Sequence, residues 1–212
     1  MPVPIIRLPP GPLLCLVEGT FDIACLQHLS TALHRDDPSL PSLAPLAAQG
    51  RLIWIPVDGH LARWADRLSP LGCPQFHLYD RELSPETEAR TALVQRLNRS
   101  PDCRAYLTSR RSLENFLSRA AIAAVTGVTL DFGPDDSVPE LLAQRLLVQT
   151  PNAPAWSALP RRNRLRRINR AKQLLNHQVA AHMTVDLLAE SDPAGEVRGW
   201  LQAITELLGS FR

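Results

Sequence analysis

Four short apolar runs constrain this chain most, because each stops at a turn former or an acid and each leads into a helical pattern. Leu13–Val17 lies between Pro12 and Glu18. Residues 51–57, RLIWIPV, end at Asp58 and Gly59. Gln75–Tyr79 ends in Asp80-Arg81-Glu82, and 104–108, RAYLT, runs into Ser109. Short apolar runs between turn signals read as strands buried on both faces. Between them, 21–34 repeats apolar residues at helical spacing, and Leu61–Leu68 sets Leu61, Trp64, Ala65 and Leu68 on one face. Ser84 is an N-cap candidate with Pro85 at the first helical position, for a helix running to 97. Residues 35–50 hold three prolines and read as a loop. The order β-α-β-α-β-α-β predicts an α/β fold: an open parallel sheet of about four strands flanked by helices.

Beyond residue 120 the pattern becomes helical: 138–148, 159–179, 185–189 and 196–208, with one short extended piece at 128–130 and a proline-bearing linker at 149–159. Ser112 is a further N-cap candidate. This divides the chain into an α/β part, 1–118, opened by a proline-rich lead-in, and a helical extension, 119–212. At 212 residues and 45% apolar content, a single sizeable core is affordable.

Several classes are excluded. No run approaches the ~18 apolar residues a membrane span needs. The N-terminus lacks the cationic-then-apolar order of a secretory signal, so a cytoplasmic protein is expected. Cys15, Cys25, Cys73 and Cys103 show no CxxC spacing and read as small hydrophobes in a reducing compartment. The cationic residues are 22 arginines and one lysine, Lys172, which stands between Ala171 and Gln173. A P-loop needs GK[ST], so the chain carries no Walker A motif.

The ends of the predicted strands carry acids. Glu18 ends the first, with Asp22 one helical turn on. Asp80 and Glu82 follow the third and would point the same way if the chain stayed extended. Glu114 follows the fourth. In a parallel sheet these ends share one edge, where α/β folds bind ligands. Acids gathered there would repel one another unless a cation intervened, and all-oxygen donor sets suit Mg²⁺ or Mn²⁺. Two such ions roughly 3.5–4 Å apart clamp a phosphodiester for in-line attack. Taken singly, each acid is an ordinary surface or turn residue; the ordered set carries the reading.

The motifs LVEGTFD (16–22), IPVDG (55–59), LYDRE (78–82) and TSRRSLENFL (108–117) together resemble a Toprim domain, and most of all the nuclease half of the OLD (overcoming lysogenization defect) family endonucleases. The likeness covers about 13–118 well and the helical tail loosely. It implies a Mg²⁺- or Mn²⁺-dependent DNA endonuclease holding two ions. Glu18 and Asp22 would serve one metal, Asp80 and Glu82 would stand at the family's D-x-D pair, and Glu114 with Ser109 would complete the second site. Glu18, Asp80 and Lys172 would be the catalytic set, with Lys172 neutralising charge at the phosphate. Asp58 replaces a glycine of the family pattern and either adds a ligand or fills a tight turn. The family's ATPase half is missing, so a separately encoded ATPase is an expected partner, and a homodimer is possible. A non-catalytic module binding DNA or a partner protein is the other reading.

Arg161, Arg162, Arg164, Arg166, Arg167, Arg170 and Lys172 fall within twelve residues. They form either a solvated helix face or a phosphate-contacting element whose charge is local, since the whole chain is only +2.

Overall fold

The computed structural model describes residues 11–58 and 61–209, apart from the side chains of residues 62, 65 and 66. Most of the proline-rich lead-in, Gly59 and the Ala65 side chain therefore lie outside the described residues.

The predicted strands form. β1 is Leu13–Val17, followed by helix α1, Thr20–Asp36, and the short helix α2, Leu43–Ala48. β2 is Leu52–Pro56, with α3 at Leu61–Leu68. β3 is Gln75–Tyr79, with α4 at Glu86–Leu97, and β4 is Cys103–Leu107. The sheet is parallel throughout, in the order β2-β1-β3-β4. The chain steps from β1 to one side and returns to the other side as β3, so the topological switch point lies between β1 and β3. Both central strands are buried along their whole length, while β2 and β4 are partly open. Continuous apolar runs are what such central strands require.

Pleating divides β1 between two cores. Leu13, Cys15 and Val17 join the larger cluster with Leu26 and Leu29 of α1, while Leu14 and Leu16 pack with Leu61, Leu68 and Leu93 of α3 and α4. On β3, His77 is fully buried and bridges Tyr79 Oη at 2.6 Å and Gln75 at 3.0 Å. Burial pushes its imidazole down to about 3, which keeps it neutral.

A 3₁₀ turn, Leu113–Phe116, leads into α5, Arg119–Thr126. Then come α6, Val138–Val148; α7, Arg161–Leu174; α8, Val185–Ser191; and α9, Glu196–Gly209. Val138, Leu142, Leu175, Val197, Trp200 and Ile204 from this half are buried in the same cluster as Val17 and Leu26. Trp200 stacks edge-on to Phe116 at 5.3 Å. One core thus runs through both segments.

Three local expectations need correction. The 35–50 segment contains α2, because Pro45 sits in its first turn, where backbone N–H groups have no helical partner. Residues 128–130 form no strand: Val128 and Leu130 insert their side chains into the core without pairing with β4. The 159–179 helix is interrupted, with Leu175–Val179 wound as a π turn after α7. In addition, Pro85 is the N-cap of α4, and Ser84 Oγ donates instead to Glu88 at 2.5 Å.

Candidate active site

The carboxyl edge of β1 and β3 collects the acids. Glu18 is the first residue past β1. Its Oε1 accepts the backbone N–H of Asp80, just past β3, at 2.9 Å, closing the switch point. Arg90 of α4 forms an ion pair with the same oxygen, approaches Oε2 at 3.4 Å and donates to the Asp80 carbonyl. Burial raises the Glu18 carboxyl above its ordinary range, against the pull of Arg90.

Asp22 stands in the first turn of α1 and is buried. Gly19, the N-cap, donates its backbone N–H to Asp22 Oδ2 at 2.8 Å, which fixes the carboxylate over the helix start. Burial and the neighbouring Glu114 push its carboxyl up to about 7. Asp80 is buried, and its Oδ1 accepts the N–H of Leu113 at 3.1 Å. Burial holds it well above the carboxylate range, and Asp22, Glu18 and Glu114 add to the shift.

Glu114 is 1% exposed, carried inward by the 3₁₀ turn whose start Ser112 and Asn115 cap reciprocally. Its Oε1 accepts from Asn176 Nδ2 at 2.8 Å and lies 3.9 Å from Lys172 Nζ. Its Oε2 is buried without a hydrogen-bond partner, as is Asn176 Oδ1. Such groups carry a desolvation cost of about 1–3 kcal/mol each until something binds them. Glu114 in turn raises the proton affinity of Lys172, keeping it cationic.

Asp22, Asp80 and Glu114 therefore gather around Lys172, with Glu18 beside them under Arg90. The sum is four carboxylates against two cations. Of two further residues expected here, Glu82 stays at the rim, within electrostatic reach of Glu18 and Lys172, while Ser109 turns away. Glu82 does not align with Asp80, because the chain reverses at Glu82 itself (φ 55°) and its carboxylate pairs with Arg111 Nε at 3.5 Å. Ser109 faces α9: its N–H donates to Glu196 at 2.9 Å and its hydroxyl donates to the same carboxylate. Asp58 occupies a tight turn at φ 45°, exposed, with its N–H on the Glu18 carbonyl at 2.9 Å.

The donor set fits a hard divalent cation in chemistry. It is all oxygen, buried, short of positive charge and holds an unpartnered carboxylate oxygen. Among the described residues, however, no three His, Cys, Asp or Glu side chains are already drawn together as a cage. Sequence reasoning missed Arg90 and Asn176. One arginine among 22 carries no signal. Asn176 carried no more, standing between Leu175 and His177 with the amides Gln173 and Gln178 close by. Comparison with protein-family models, curated proteins and solved structures found no match to this chain.

Proposed function

We propose that this protein is a Mg²⁺- or Mn²⁺-dependent nuclease that hydrolyses phosphodiester bonds in DNA. The observation that carries the reading is the buried group Asp22, Asp80 and Glu114 at the switch point, with raised proton affinity at both aspartates and Lys172 at its rim. Asp22, Asp80 and Glu114 would hold the cation, with Glu18 on its border. When bound, a divalent ion supplies charge neutralisation and polarisation at the phosphate. The chain's own residues do the rest. Lys172, 36% exposed at its side chain, presents a cation to the phosphate from outside the acids. Asn176 orients Glu114, and the Leu113 N–H orients Asp80.

The second reading, a non-catalytic DNA- or partner-binding module or the subunit of a separate ATPase, is favoured by one observation. Arg90 already supplies Glu18 with a cation.

Supercoiled-plasmid nicking with Mn²⁺ and with Mg²⁺ separates the two. Activity is expected, with Asp80→Asn and Glu114→Gln each lowering it by roughly a hundredfold or more, the scale of a lost charge-stabilising group. Inactivity with both ions, or full activity in both variants, contradicts the nuclease reading. Calorimetric titration of Mn²⁺ into wild type and Glu18→Gln tests the metal site without a substrate.

A further inference from the structure

Helix α7 holds seven cationic side chains and no acid. Lys172 is paired with Glu114, while among the described residues Arg161, Arg162, Arg164, Arg166, Arg167 and Arg170 have no carboxylate partner. A helix surface this charged is self-repelling and is stabilised by any polyanion that lies along it. The charge is also ordered. Arg162, Arg166 and Arg170 recur at four-residue steps, with Asn169 and Gln173 flanking them, so they form a single stripe. That stripe lines an open groove of about 730 Å³, to which Phe21 of α1 contributes, among the described residues, the one lining side chain from outside α7. The Phe21 ring is half-buried and meets the ring of the exposed His177 edge-on at 6.1 Å.

We infer that this groove is a binding site for single-stranded nucleic acid, running from the outer end of α7 to the acid cluster. Arginines at helical spacing match successive phosphates, and an aromatic face offers any base a stacking surface. Asn169 and Gln173 add carboxamides that can bond base edges. A duplex would present phosphates to the arginines but no free base to Phe21. One end of the groove lies close to the acids: Phe21 adjoins Asp22, and Gln173 adjoins Lys172, whose Nζ lies 3.9 Å from Glu114. The inference deepens the nuclease reading by naming the strand that would enter, yet binding itself requires no metal.

The test is fluorescence anisotropy of a labelled 20-nucleotide oligothymidylate with the full chain in EDTA, across a salt series. Binding should weaken with salt at a log–log slope of about −2 to −3, the value for three or four neutralised phosphates on a single strand. The double variant Arg162→Glu/Arg166→Glu should lose at least tenfold in affinity and show a flatter slope. Both side chains are exposed and unpaired, so an unchanged melting temperature is expected alongside. Phe21→Leu should weaken binding at least threefold and leave the slope as it is. Equal affinity of the double variant and wild type, tighter binding to a blunt duplex, or binding to phosphatidylserine vesicles without binding to the oligonucleotide each overturns the inference. Binding in EDTA without Mn²⁺-dependent cleavage of either plasmid or single-stranded circular DNA would defeat the nuclease reading and leave the groove standing. Cleavage of single-stranded circular DNA that survives the double variant with unchanged KM would defeat the groove and leave the nuclease reading.

Discussion

Asp22 shows at the scale of one residue what burying acids costs. Its carboxyl is pushed from 3.8 to about 7, first by burial and then by Glu114. The folded protein therefore holds this proton more tightly than the unfolded chain. The stability it contributes is complete below pH ~4, declines as pH rises, and is gone above pH ~7, a span worth up to about 4 kcal/mol. In EDTA, urea unfolding between pH 4 and 8 should show stability falling with pH. Asp22→Asn should flatten that fall and raise stability at pH 8, the remainder coming from Asp80 and Glu18. An unaltered slope in the variant would show that Asp22 is not held protonated. Glu18, Asp22, Asp80, Glu114 and Lys172 were legible in the sequence because acids at strand ends and a lone lysine stand out. The turn of Glu82 and Ser109 toward Arg111 and Glu196 was not, since it depends on partners 29 and 87 residues away.

Elements decide which carboxylates remain available. α4 lies on the second face of the sheet and reaches over the β1 and β3 ends with Arg90, holding Glu18 and the Asp80 carbonyl together. Replacing Arg90 with methionine leaves Glu18 partly buried with only the Asp80 N–H. Stability in EDTA should drop by about 1–3 kcal/mol. Calorimetry should also show tighter Mn²⁺ binding, because Arg90 competes for the same oxygen. Weaker Mn²⁺ binding in the variant would mean that Arg90 helps to build the site. The 3₁₀ turn after β4 is the opposite kind of element: its Ser112 cap and the Leu113 N–H to Asp80 fix Glu114 in the interior. α9 has a similar role on the rim, with Glu196 holding Ser109 away from the acids.

For the whole molecule, the α/β part and the helical extension behave as one body of packing. α1 contacts the π turn after α7 and the helices α8 and α9, and Asn176 reaches Glu114 from that half. A chain ending at residue 118 would expose Val17, Cys25, Leu26 and Leu29, so it should lose cooperative unfolding by near-ultraviolet circular dichroism and urea titration. A cooperative transition in that fragment would show that the α/β part folds alone. Among the described residues no helix is long and apolar enough to cross a membrane.

Periodicity and punctuation determined the strands, most helices and the parallel sheet, because these depend on side chains within a few residues of one another. They also determined that acids would end β1 and β3, since one edge of a parallel sheet receives every strand's carboxyl end. Tertiary structure alone decided the rest. The order β2-β1-β3-β4 set Glu18 beside Asp80, α4 brought Arg90 across, and the helical half supplied Lys172 and Asn176 to Glu114. Those pairings span 62, 72 and up to 62 residues. No local pattern records such contacts, because their free energy comes from burial and charge in a site that exists only once the sheet and helices have closed around it.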